Sequence, residues 1–239
     1  MKRFLVIWGC CLSLMASAQQ LPVLCYHNIT EPGTHKNDGL HIDRHQFERQ
    51  LKTLSDSGYH TILPDEMVAL LQQRKPFPAH ACMITFDDSH AEHYTVAAPL
   101  LERYHFKGVF FVMTVTLNKP HYLSSAQIKA LADQGHVVAS HTWDHPFPEG
   151  YKDWHQELVT PRQQLEKITG RPVVYFAYPF GAYNDSIITH VQQAGYKAAF
   201  QLNHLPAPGK VLFTLRRLIV NGGWSGAQLL HEMTLYGTQ

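Results

Sequence analysis

Ala81-Cys82-Met83-Ile84-Thr85-Phe86-Asp87-Asp88 is the stretch that decides how this chain is read. Residues 81–86 are mostly apolar and suit a buried strand, and two adjacent acids close it. Carboxylates at the end of a buried strand are costly unless something compensates them. Side chains alternate along a strand, so neighbouring acids need not face the same way. One can bind a cation while the other handles a proton. Ser89-His90 then suits a turn into a helix.

Downstream, Val137-Val138-Ala139 reads as another strand, followed by Ser140-His141-Thr142-Trp143-Asp144-His145. A separation of four predicts that His141 and His145 share one face of a helical turn and can share one ion. In a chain with 17 histidines, an isolated pair at this spacing is more often two unrelated surface residues. Its place straight after an apolar strand, with the acid pair at another strand end, favours a metal. Asp plus two His leaves coordination positions open for water and substrate. If Asp88 joins His141 and His145, Asp87 stays unliganded and serves as general base, its ionised form favoured by the nearby ion. Either acid alone would be read as a helix cap.

A third element is Phe176-Ala177-Tyr178-Pro179-Phe180-Gly181-Ala182-Tyr183-Asn184. An aromatic strand end runs into a Pro/Gly turn, which can present backbone N–H groups to an oxyanion. Tyr178, Pro179 and Phe180 are its candidate substrate and oxyanion residues, and the aromatic faces suit a sugar-binding groove. Without the other motifs it would be ordinary packing and a turn.

Strand and helix signals alternate around these motifs. Leu21 to Tyr26 reads as a strand that delivers His27 to its end, and a loop follows to about Leu40. Asp43 caps a predicted helix through Leu54, with Phe47, Leu51 and Leu54 on one face. Helices are expected from Pro64, over Glu92–Arg103, from Ser124 or Ser125 to Gln134, over Trp154–Ile168 and Asp185–Ala194, and from Ser225. Strands are expected over Tyr59–Leu63, Gly108–Met113, Val173–Tyr178, Tyr196–Gln201 and Leu218–Val220. This alternation argues a parallel α/β architecture. His27, Asp87-Asp88, His141 and Tyr178-Phe180 all fall at C-terminal strand ends, where barrel-type α/β proteins place their sites. A doubly wound open sheet is the rival, but no Gly-rich dinucleotide turn follows the first strand.

The ends and the charge exclude several classes. Lys2-Arg3, the short apolar run Phe4–Met15 and Ala16-Ser17-Ala18 read as an export signal cleaved after Ala18. An uncleaved anchor is the lesser alternative, since the run is short for a membrane span. Residues 1–18 would then be signal peptide and 19–239 one domain. Removing the leader takes two basic residues and no acid, so the net charge falls from +1 to −1. Such a chain carries no electrostatic footprint for nucleic acid or anionic lipid. The mature chain retains Cys25 and Cys82, both in apolar runs and read as buried thiols.

Thr85-Phe86-Asp87-Asp88, then Ser140-His141 with His145, then Tyr178-Pro179-Phe180-Gly181, occur in the order of the first three motifs of a known family. The chain resembles the polysaccharide deacetylases of carbohydrate esterase family 4, with the NodB-homology domain, from about Pro22 to the C-terminus. Leu24-Cys25-Tyr26-His27, Phe47 to Leu54 with Gly58-Tyr59, and Phe176-Ala177-Tyr178-Pro179 resemble the permuted branch that includes bacterial poly-N-acetylglucosamine deacetylases. The chain departs from the pattern twice. Ala177 stands where motif three has an arginine, and no Asp-x-Trp follows near Phe200-Gln201-Leu202-Asn203. Arg216-Arg217 are candidates to restore the missing charge. Leu229-Leu230-His231 matches a C-terminal histidine motif superficially, but sits in an expected helix and reads as surface.

The resemblance implies a distorted (β/α) barrel of about seven parallel strands. It implies one divalent ion on Asp88, His141 and His145, with zinc first and nickel, cobalt or iron as alternatives. Asp87 would be the base and His27 the acid. The implied activity is removal of N-acetyl groups from an N-acetylglucosamine-type polysaccharide in the periplasm or outside the cell. The alternatives are cleavage of a small amide or cyclic imide at the same metal site, or a non-catalytic carbohydrate-binding protein. Its partner would be an N-acetylated glycan, with no nucleic acid and no stable membrane span in the mature chain.

Overall fold

Alternation of inward and outward side chains along short, parallel, buried strands organises the molecule. The computed structural model describes residues 20–148, 151–202 and 204–238. The leader expected over residues 1–18, and Asn203, lie outside the described residues. Among the described residues no helix is long and apolar enough to cross a membrane.

Seven parallel strands close into a barrel. They are β1 (Val23–Tyr26), β5 (Ala81–Phe86), β6 (Gly108–Val112), β7 (Val137–Ser140), β8 (Tyr175–Ala177), β9 (Ala198–Leu202) and β10 (Leu215–Ile219). β1 closes the ring by pairing with both β10 and β5. A short strand, β4 (His60–Thr61), lies outside the ring on β5. The open-sheet rival is therefore excluded.

The inward residues of successive strands form one cluster: Val23, Met83, Val109, Phe111, Ala139, Ala177, Phe200 and Leu215. The outward residues form others, under the helices. Leu24, Ile84, Phe86, Phe110 and Val138 pack beneath α1 (Arg44–Asp56), α3 (Ala98–Arg103) and α4 (Ser125–Asp133). Phe176, Tyr178 and Ala199 pack beneath α6 (Asp185–Gln193). Phe47, Leu51 and Leu54 of α1 are fully buried, each worth about 2 kcal/mol of apolar transfer. Asp43 caps this helix, its carboxylate accepting from the Gln46 N–H. Ser124 and Gln127 cap α4 reciprocally in a capping box, which satisfies two otherwise orphaned donors.

Three local expectations change. The stretch after His27 is not a plain loop, because β2 (Asn28–Thr30) and β3 (His41–Asp43) form a small parallel pair. Ile29 and Ile42 anchor it in the core. The predicted Glu92–Arg103 helix begins with a π-helical turn over His93–Ala97. Pro99 follows directly and has no N–H to donate to Thr95, and the wider turn accommodates it. The last barrel strand starts at Leu215, not Leu218, so Arg216 and Arg217 lie within it.

Candidate active site

The C-terminal ends of β1, β5, β7 and β8 gather His27, Asp87-Asp88, His141 and the Tyr178-Phe180 turn at one mouth of the barrel. Asp87 continues the inward alternation of Met83 and Thr85 and drops into the barrel. It is almost completely buried. Asp88 and Ser89 then adopt left-handed backbone, φ 72° and 64°, which turns the Asp88 side chain across the mouth. Ser89 secures this turn by accepting from the Met113 N–H at 2.7 Å.

Asp88, His141 and His145 converge. The Asp88 Oδ1 lies 3.6 Å from the Nε2 of each histidine. The His141 Nδ1 faces the Ala177 carbonyl at 2.8 Å. A carbonyl only accepts, so Nδ1 carries the proton and Nε2 presents a lone pair. Burial pushes the His141 ring down to about 3 and lowers His145 as well, so both rings are neutral, the form that binds metal. A carboxylate and a ring lone pair thus face each other with no donor between them. That donor set fits a divalent cation.

The histidine pair is not helical. His141 to Pro146 is irregular chain, with Thr142 and His145 at φ 67° and 65°. The Thr142 hydroxyl accepts the His145 N–H at 2.9 Å and closes the loop that a helical turn was expected to supply. Asp88, Ser89, Thr142, His145 and Phe180 are all non-glycine residues with positive φ. Such backbone is strained and collects where surrounding contacts hold a functional geometry.

Arg217, on β10, reaches across the barrel to Asp87. Its Nη1 and Nη2 donate to Oδ1 and Oδ2 at 2.6 and 2.7 Å. The guanidinium also lies 5.1 Å over the Phe111 ring. Burial would raise the Asp87 carboxyl, but Arg217 and the nearby His141 and His27 rings outweigh it and hold it well below the carboxylate range. Asp88 behaves oppositely. Burial, reinforced by Asp87, pushes it up to about 6 despite an opposing effect of His27. Cys25 faces Asp87 too. Burial keeps its thiol protonated, and Sγ donates to Oδ2 at 3.6 Å. Cys25, His27 and Asp87 form a second group with metal-ligand spacing, but the Arg217 guanidinium already neutralises Asp87, and a cation there would meet like charge.

His27 Nε2 lies 3.9 Å from Asp87 Oδ2. The His93 ring, buried beneath it, donates from Nε2 to the His27 carbonyl at 2.7 Å and fixes the strand end. The Tyr178 side chain does not join this set. It points outward under α6, and its hydroxyl donates to the Phe213 carbonyl at 3.0 Å. Pro179 is buried, whereas Phe180 stands exposed at the mouth. His231 is an exposed residue of α7 (Gly226–Gly237), far in character from a catalytic acid. The residues that motif reading left out are His93, Cys25 and Ser89, which support rather than ligate.

Residues 74–199 match the family model for polysaccharide deacetylases. YxkH of Bacillus subtilis (strain 168), assigned by name to the polysaccharide deacetylases, is 30% identical over 216 residues, covering 87% of this chain and 74% of that protein. The chain belongs to the polysaccharide deacetylase family. Its fold matches the Streptococcus pyogenes deacetylase PplD, solved in complex with acetate, with a TM-score of 0.81 and 26% identity over 90% of this chain and 98% of that one. The poly-beta-1,6-N-acetyl-D-glucosamine N-deacetylase of Staphylococcus aureus (strain N315) is 24% identical over 177 residues. That match covers 67% of this chain and 61% of the relative.

Proposed function

We propose that this polysaccharide deacetylase hydrolyses N-acetyl groups on an exported amino-sugar polymer of the N-acetylglucosamine type, releasing acetate and a free sugar amine. The observation that carries the reading is the unequal pair of adjacent acids. Asp87 is held ionised by Arg217, and Asp88 faces two neutral histidines. Asp88, His141 and His145 would hold the divalent ion, with zinc preferred by the nitrogen and oxygen donors and the three-ligand set. When bound, such an ion polarises a carbonyl and lowers the pKa of a water.

The chain's own groups then divide the proton work. Asp87 takes the proton of the attacking water as its oxygen joins the acetyl carbon. Arg217 keeps Asp87 ionised and fixed in place to accept that proton. The Phe180 N–H, at the exposed turn, would stabilise the oxygen that gains charge. His27, protonated, donates to the sugar nitrogen as the C–N bond breaks. A histidine suits this step because its ring nitrogen can carry a proton and release it to the departing amine. Asp87 and Arg217 together prevent the pocket from carrying an uncompensated charge.

Export is part of the proposal. The leader at residues 1–18, followed by a catalytic domain over 19–239, would deliver the enzyme to the periplasm or beyond, where such polymers lie. The test is acetate release from poly-β-1,6-N-acetylglucosamine, chitin oligomers and peptidoglycan, by protein stripped with chelator and reconstituted with zinc, nickel, cobalt or iron. The proposal predicts metal-dependent release from at least one glucosamine polymer. Release from none of them, with folded and metal-loaded protein, overturns it.

A further inference from the structure

Phe147 and Phe180 expose their rings to solvent, 59% and 48% respectively. They do so at the mouth of the site, stacked on one another with centroids 3.9 Å apart and planes within 4°. Phe180 in turn meets the His145 ring edge-to-face, with centroids at 4.4 Å, and His145 meets His141 at 4.8 Å. A continuous file of rings therefore runs from the histidine pair out to the free face of Phe147.

Neither exposed ring is explained by the fold. A large apolar side chain gains nothing from standing in water, and contiguous exposed apolar surface marks a binding groove more often than chance. Phe180 also holds a left-handed backbone, φ 58°, which costs an L-residue roughly 1–2 kcal/mol. The metal set does not need the Phe147 ring, which touches Phe180. The pair forms a flat apolar disc, already assembled, directed away from the reacting centre.

We propose that the outer face of Phe147 is a sugar subsite that stacks the pyranose ring next to the unit being deacetylated. The inference rests on the amino-sugar polymer reading and extends it. A β-linked N-acetylglucosamine ring carries its substituents equatorially, so each of its faces is a patch of axial C–H groups. That patch matches a flat aromatic face in shape and polarity. A monomer filling only the reacting position cannot reach Phe147, whereas a chain can. The enzyme should therefore favour oligomers through binding rather than through chemistry, since the stack is equally available in ground and transition states.

The test uses full-length mature enzyme, zinc-loaded, with N-acetylglucosamine oligomers of one to five units in β-1,4 and β-1,6 linkage. Phe147→Ala should raise KM for the pentamer by about tenfold, hold kcat, and keep the metal content of wild type. Phe147→Trp should restore the pentamer KM, which a merely structural role of the ring would not predict. Calorimetric titration of the pentamers into wild type and Phe147→Ala separates this inference from the activity itself. If no oligomer yields acetate, weaker pentamer binding by Phe147→Ala still supports the subsite. An unaltered pentamer KM in the alanine variant overturns it, as does equal pentamer binding by the two proteins, and so does a loss confined to kcat.

Discussion

Arg217 grips Asp87 with both terminal nitrogens, at 2.6 and 2.7 Å, inside the barrel. The pair joins β10 to the end of β5 without touching solvent. Burying two charges is tolerable only when they are paired and hydrogen-bonded; here the Cys25 thiol donates to Asp87 and the Thr85 hydroxyl accepts from Arg217, while the Arg217 Nε has no hydrogen-bond partner among the described residues. Arg217 thereby supplies from the last strand the positive charge that Ala177 cannot supply from the third motif.

Truncating this arginine should separate stability from chemistry. Arg217→Met leaves Asp87 buried without its partner and should cost about 3–5 kcal/mol in urea unfolding. Arg217→Lys keeps one charge but loses the two-pronged grip, so it should fold and lose kcat by about tenfold or more with KM little changed. Equal kcat in wild type and the lysine variant would mean that the grip does not position the base.

The acid role proposed for His27 has its own signature. A sugar amine is a poor leaving group and needs a proton, whereas 4-nitrophenolate does not. His27→Ala should lower deacetylation of an N-acetylglucosamine oligomer by ~100-fold or more, and hydrolysis of 4-nitrophenyl acetate far less. Parallel losses on both substrates would point to a positioning role for His27.

His136 should make the fold acid-sensitive, away from the site. Its Nδ1 accepts the Gly108 N–H at 3.0 Å, and burial pushes the ring from 6.5 down to about 4. The folded value is depressed, so its stabilisation is complete above 6.5 and is lost as pH falls toward 4. Wild type should therefore lose about 2 kcal/mol more than His136→Asn between pH 7.5 and pH 5. Urea midpoints at the two pH values measure this, and identical losses would refute it.

The strand ends were legible because each joins an apolar run to a polar pair, as Phe86 joins Asp87-Asp88 and Ala139 joins Ser140-His141. The path between His141 and His145 was not. A spacing of four fits a helical turn, and only the left-handed backbone at Thr142 and His145 produces the loop that forms instead. Arg217 was visible as a neighbour of Arg216 but not as the partner of Asp87. Starting β10 at Leu218 hid the alternation in which Leu215 and Arg217 both face inward. Tyr178 was drawn toward the substrate by its motif, although it shares the outward parity of Phe176 and packs under α6. Phe147 carried no signal, because its place beside Phe180 depends on the same irregular loop.

The division of labour between the adjacent acids is the central claim, and one paired measurement tests it. Metal content and acetate release should be determined on the same preparations of wild type, Asp87→Asn and Asp88→Asn, using the best glycan substrate. The account predicts that Asp87→Asn keeps its metal and loses turnover by at least about 100-fold, while Asp88→Asn loses the metal and the activity together. Near-full acetate release by Asp87→Asn, or equal metal loss in the two variants, would contradict it.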